Sequence, residues 1–133
     1  GLTGCETALW LAEQGKKVTI VEMLPRLMDG GPPVPHMNKV MLLDLLTVQK
    51  VSMLTNAHVQ EITNEAVIIV DRASSRKTII ADTVVLALGL KSNDELGKLL
   101  EGKVAHMYTI GDCREPRNIM GAVWDGYEVG RAV

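Results

Sequence analysis

The sequence contains no phenylalanine and only two tryptophans and two tyrosines in 133 residues. Stacked aromatic side chains are what hold unpaired nucleobases, so this poverty argues against a base-stacking surface. An excess of one charge is also missing. Fourteen Lys and Arg stand against 16 Asp and Glu, a net charge of −2, which removes the electrostatic case for nucleic acid or an anionic membrane as partner. The two cysteines, Cys5 and Cys113, lie far apart and fit no Cys-x-x-Cys or Cys-x4-Cys spacing. Neither a structural metal site, an iron–sulfur cluster nor a redox disulfide is expected from them. No apolar run approaches the ~20 residues of a membrane-spanning helix. The histidines, His36, His58 and His106, are scattered, and no acid–base constellation is visible. What remains is the ordinary balance of a cytoplasmic globular domain, 47% hydrophobic and 23% charged.

Against these absences, the first 22 residues are dense with signal. Gly1 and Gly4 open a helix whose apolar residues are Ala8, Leu9, Leu11 and Ala12. Gly15 stops it, and Lys16 and Lys17 complement the negative end of its dipole. Val18–Val21 reads as a buried strand ending on one acid, Glu22. Glycine turn, helix, strand and acid make up the later part of a dinucleotide-binding βαβ unit. Gly1, Leu2 and Gly4, with the N–H groups of Thr3 to Glu6, would hold a pyrophosphate. Glu22 is spaced to hold the hydroxyls of an adenine ribose, or is simply an acid at a strand end. The full fingerprint has an earlier glycine and a preceding strand, neither of which is in this sequence. The chain also begins without Met. It therefore reads as an excised part of a longer enzyme.

Residues 23–35 hold four of the chain's five prolines, three of them in a Gly-Gly-Pro-Pro-Val-Pro run after a short Met23–Met28 stretch that favours a helical turn. The run is a loop, either a flap beside the adenosine pocket or a plain connector. Asn38 to Gln49 reads as a helix with Asn38 as N-cap and Val40, Leu43, Leu46 and Thr47 on one face, followed by a strand at Val51–Leu54. His58–Ile62, Ala66–Val70 and Lys77–Ile80 are close strands with tight polar turns, an antiparallel meander. Asp82–Leu88 is a continuous apolar run of the kind found in central parallel strands, ended by Gly89. A short helix follows from Asp94 to Leu100, then a strand at Val104–Ile110, Gly111-Asp112, a loop, and a helix from Ile119 to Val133. The expected fold is α/β: a truncated Rossmann-like domain with a parallel sheet, flanking helices, a small meander, and the first βαβ strand missing. Open edges beside Val18–Val21 and Asp82–Leu88 would be filled by Val104–Ile110 or by a second chain, giving a homo-oligomer.

Tyr108-Thr-Ile-Gly-Asp112 resembles the C-terminal flavin motif of the two-dinucleotide-binding-domain flavoproteins, the glutathione-reductase-like superfamily. Val84 to Asn93 resembles their Ala-Thr-Gly-x-x-Pro-Asn linker, with Leu88 in place of Thr and Ser92 in place of Pro. Gly111 to Ala132 is similar to the C-terminal end of NADH:flavin oxidoreductases fused to an Old Yellow Enzyme barrel, the group of 2-enoate and 2,4-dienoyl-CoA reductases. The resemblance covers nearly the whole chain. It implies an NAD(P)H-binding domain over residues 1–93 and the returning segment of an FAD-binding domain over 94–133. FMN and a 4Fe–4S cluster would belong to an absent barrel, and half of the FAD domain would be absent too.

On this resemblance Gly111 and Asp112 bind FAD, with Asp112 on the ribityl hydroxyls; alternatively Asp112 caps the next helix. Gly89 belongs to the linker at the cofactor. Glu6 matches an acid facing the nicotinamide, or else complements the helix dipole. Arg114 and Arg117 contact a flavin phosphate or lie on a solvated face. Glu22 favours NADH because a 2′-phosphate would meet a like charge. Arg26, four residues on, is the cation that would soften this preference. The alternative to an electron-transfer fragment is a nucleotide-binding or interaction module without redox chemistry.

Overall fold

The computed structural model describes every residue from Gly1 to Val133. The chain forms two compact units, Gly1–Leu88 and Gly89–Val133.

In the first unit, helix α1 (Leu2–Glu13) buries Cys5, Ala8 and Ala12. Their three- and four-residue spacing puts them on one face. Helix α1 ends as Gly15 turns left-handed (φ +76°). The Gly15 and Lys16 N–H groups then close on the Ala12 and Leu11 carbonyls at 2.9 and 3.1 Å, a Schellman ending. Lys16 thus lies beyond the last helical turn and acts through its backbone.

Strand β1 (Thr19–Val21) pairs in parallel with β2 (Ser52–Leu54), and the crossover between them carries helix α2 (His36–Val48). Helix α2 starts at His36 with Pro35 as its N-cap residue and no side-chain cap, so Asn38 is not the N-cap. Its inward face is Leu42 and Leu46, with Leu43 packed beside them, while Val40 and Thr47 face out. Half of the expected face, Leu43 and Leu46, therefore meets the core, while Val40 and Thr47 do not, and Leu42 takes the remaining inward place. The cap falls three residues before Asn38, and tertiary packing selects the rows that meet α1. These helices close the larger core, Cys5, Ala8, Ala12, Leu27, Met28, Leu42, Leu46 and Val51. Met23–Met28 is not a helical turn. Leu27 and Met28 are both buried there, with Met28 at φ +61°.

Strands β3 (Ala57–Ile62), β4 (Ala66–Asp71) and β5 (Arg76–Ile80) form the antiparallel sheet, with an irregularity between Val59 and Glu61. Its inner residues Ala57, Val67 and Ile69 make a second core with Val21, Leu54 and Ile79.

Two expected strands do not form. Asp82–Leu88 and Val104–Ile110 are extended or irregular, exposed along almost their whole length, and absent from both sheets. Val104–Ile110 therefore does not fill the open slot. A strand exists only where a neighbour takes its N–H and C=O groups. Neither segment has one, whatever its apolar content.

In the second unit, helix α3 (Glu95–Leu100) and helix α4 (Ile119–Ala132) flank a 3-10 turn at Gly111–Cys113. Asn118 caps α4 by accepting the Gly121 N–H at 2.8 Å.

Candidate cofactor-binding site

The N-terminus of α1 and the end of β1 meet. The first helical hydrogen bond runs from the Cys5 N–H to the Gly1 carbonyl, at 3.2 Å. The N–H groups of Leu2, Thr3 and Gly4 precede it, and no side chain caps them. They are free donors at the positive end of a helix. Glu22 stands beside them, with Oε2 3.6 Å from the Gly1 nitrogen. Its backbone is tied on both sides: its N–H donates to the Leu54 carbonyl at 2.8 Å, and its carbonyl accepts from the Ala57 N–H at 3.1 Å. Oε1 accepts the Leu24 N–H at 3.1 Å. The carboxylate is 16% exposed, held in place yet reachable. Donors for a phosphate and an acid for ribose hydroxyls thus sit together, an arrangement that fits a dinucleotide.

Gly4 has a packing role. A Cβ there would lie 2.9 Å from the Ala87 Cβ, so α1 approaches the Asp82–Leu88 segment closely only because residue 4 has no side chain. Gly1 faces the following loop, with the Gly30 carbonyl 3.7 Å from where a Cβ would stand. The glycine-proline loop therefore borders the glycine turn. Arg26 does not pair with Glu22. Its Nε donates to Asp29 Oδ2 at 2.8 Å, and Lys39 Nζ donates to Asp29 Oδ1 at 2.5 Å. Together these hold the Asp29 carboxyl below the usual carboxylate range, with Lys39 the larger cause. Glu6 is exposed and lies past the first turn of α1, where the dipole is weak. Cys5 is 1% exposed, and burial pushes its thiol up.

In the second unit, Gly111 adopts φ +63° and opens the 3-10 turn that holds Asp112. Asp112 is exposed and caps nothing, because the α4 cap is Asn118. With Arg117, Asn118, Ile119, Ala122 and Val123 it lines a shallow groove of about 490 Å³. Gly89 is exposed, with φ +89°. Arg114 and Arg117 converge on Asp125 from the loop. Arg117 Nη2 bonds Asp125 Oδ2 closely, Arg114 Nη1 lies 3.6 Å from Oδ1, and the Gly111 N–H donates to Oδ2 at 3.0 Å. The Arg117 hydrogen bond, then the Gly111 N–H, depress the Asp125 pKa. Sequence reasoning missed Asp125. The available signal was an acid eight residues after Arg117, the first charged residue of α4. No group of His, Cys, Asp and Glu is arranged to hold a metal, and both cysteines are free.

A glycine-opened helix, a parallel crossover and an acid at the strand end define a Rossmann-like nucleotide-binding fold. The chain belongs to the pyridine nucleotide-disulphide oxidoreductase family, whose model matches residues 1–126. Cinnamate reductase of Clostridium sporogenes is 37% identical over 134 residues, covering 100% of this chain and 20% of that protein. NADH oxidase of Thermoanaerobacter brockii is 38% identical over 130 residues, covering 97% and 20%. Among solved structures, a 2-naphthoyl-CoA reductase complex superposes with a TM-score of 0.86 at 32% identity, covering 97% of this chain and 19% of the other. The chain thus spans about one-fifth of the length of these three proteins. The family is one of FAD- and NAD(P)H-dependent oxidoreductases, and the likeness to Old Yellow Enzyme-fused reductases agrees with these relatives.

Proposed function

We propose that this chain is the nicotinamide-binding part of a larger flavin-dependent reductase, with NADH preferred to NADPH. One observation carries the reading: the free N–H groups of Leu2, Thr3 and Gly4 open beside a Glu22 carboxylate 3.6 Å from the Gly1 nitrogen. Gly1 to Gly4 hold the pyrophosphate, and Glu22 accepts hydrogen bonds from the adenine ribose. NADH held here would supply hydride to an FAD, and FMN and a 4Fe–4S cluster, if other domains carry them, would supply the onward electron path to an enoate-type substrate. This chain contributes binding and orientation, since hydride transfer between the two rings requires alignment rather than a protein acid or base. Residues 1–93 are the nicotinamide domain and 94–133 the returning part of the FAD domain, with Gly89 in the linker and Gly111 and Asp112 against the ribityl chain. Alone, the chain binds nucleotide but turns over no substrate. The relatives named cinnamate reductase and NADH oxidase support both halves of this reading, and a cytoplasmic location for the parent enzyme is part of the proposal. No helix is long and apolar enough to cross a membrane.

The test is a titration with NADH and NADPH followed by nicotinamide fluorescence. NADH is expected to bind well ahead of NADPH, and Glu22→Gln to narrow the difference. Equal affinities in the unmodified chain would remove Glu22 as discriminator. No binding of either would count against the nicotinamide site itself.

A further inference from the structure

The loop after Glu22 carries one cation, Arg26, in the stretch from Met23 to Gly31. Arg26 is spaced to reach a 2′-phosphate, and its side chain is 78% exposed, so nothing steric holds it back. What holds it is Asp29. One carboxylate oxygen takes Arg26 Nε and the other takes Lys39 Nζ. The latch cannot drift, because Leu27 and Met28 are buried immediately before it and Met28 is fixed in a left-handed conformation. It stands beside the nucleotide turn, since the next residue, Gly30, approaches Gly1 with its carbonyl.

We propose that Asp29 is a positioning residue for cofactor choice: by engaging Arg26 and Lys39 it withholds both cations from a ribose 2′-phosphate and so enforces the preference for NADH. This rests on the reading of Gly1–Glu22 as a nicotinamide dinucleotide site and extends it to a residue outside that stretch. A 2′-phosphate must compete with a carboxylate that already has two charge-assisted hydrogen bonds. It also brings its own charge toward both Glu22 and Asp29. NADH carries no such group and is indifferent to the latch.

The experiment compares Kd for NADH and NADPH in the full chain and in four variants. Asp29→Asn frees the cations and is expected to tighten NADPH about five- to tenfold relative to NADH, the scale of one exposed ion pair or slightly more. NADH affinity stays unchanged. Asp29→Glu restores the original ratio, and Asp29→Asn with Arg26→Met loses the gain. Arg26→Met alone, at an exposed position that leaves folding intact, is expected to change neither affinity. If that single variant weakens NADPH, Arg26 already serves the phosphate and the inference falls. An Asp29→Asn variant that binds NADH normally with an unaltered ratio also overturns it, while leaving the nicotinamide site standing. Failure of the unmodified chain to bind NADH overturns the site and the latch together.

Discussion

At the scale of single residues, Gly4 and Cys5 show how closely α1 is fitted. Helix propensity alone favours Ala over Gly by ~1 kcal/mol inside a helix. Packing opposes it, because a Cβ at residue 4 would stand 2.9 Å from the Ala87 Cβ, an atom fixed to the backbone. Overpacking of this kind costs ~1–3 kcal/mol. The Asp82–Leu88 segment has no ladder hydrogen bonds to keep it in place, so the lower end applies. Gly4→Ala is therefore expected to lie between neutral and ~1 kcal/mol destabilising, with a Tm lowered by no more than about 4–8 °C; a raised Tm would mean that propensity wins. Cys5 is expected to resist a thiol reagent such as a dithiobis-nitrobenzoate. Its 1% exposure and its raised pKa both deny the reagent a thiolate. Cys113 is exposed, so one thiol per chain titrates at once and the second only in denaturant. Two fast thiols would show that α1 is not docked as described.

At the scale of elements, what could be read from the sequence depended on whether the signal was local. The turn of Gly15, the strand ending on Glu22, the meander and the last helix rest on residues close together in sequence, and they formed. The end of α2 was legible to within one residue, at Gln49, but the way it closes was not. It is the same Schellman ending as that of α1, with the Lys50 and Val51 N–H groups bonded to the Thr47 and Leu46 carbonyls at 3.0 and 2.9 Å. Its left-handed residue, however, is Lys50 at φ +57° rather than a glycine. An L-residue there costs ~1–2 kcal/mol, partly offset by the greater freedom glycine has when unfolded. Lys50→Gly is therefore expected to stabilise the chain by about 0.5–1 kcal/mol in urea melts, with the buried pair Leu46 and Val51 undisturbed.

The Asp125 cluster was also illegible, because it joins a loop to a helix through side chains. Its pH dependence follows from the sign of the shift. An unfolded Asp titrates near about 3.9, and in the folded chain Arg117, then the Gly111 N–H, draw it lower. The stabilisation is fully present above about pH 4 and is lost as pH falls through the folded value. Trp124, edge-on to Tyr127 at 5.8 Å on α4, reports it once Trp10 is replaced by Phe. An acid transition below the ordinary Asp range is expected, and Asp125→Asn should remove it.

For the whole molecule, the distribution of buried residues matters more than their number. Every buried hydrophobic residue lies between Cys5 and Ile69. The unit Gly89–Val133 contains none, although it has two helices and a capped, ion-paired turn. Its large apolar side chains include Ile119 at 85% and Met120 at 65% exposed, and none is buried. Caps and exposed ion pairs contribute only ~1 kcal/mol each, against a backbone ordering cost of ~1–2 kcal/mol per residue. A unit held in this way opens far more easily than one built on a core. The missed strands have the same origin: Asp82–Leu88 and Val104–Ile110 carry the apolar content of buried strands, but neither is paired in a sheet or covered. Amide hydrogen exchange tests this directly. Slow exchange is expected in α1, in α2 around Leu46 and in β4 around Ile69, with α3 and α4 exchanging close to the rate of an unstructured peptide. On the function proposed above, a parent reductase would set the remainder of a flavin domain against α3 and α4, and they are expected to become protected there while α1 and β4 change little. Strong protection of α4 in the isolated chain would mean that the second unit is stable without a core, and would remove the physical argument for reading it as part of a larger domain.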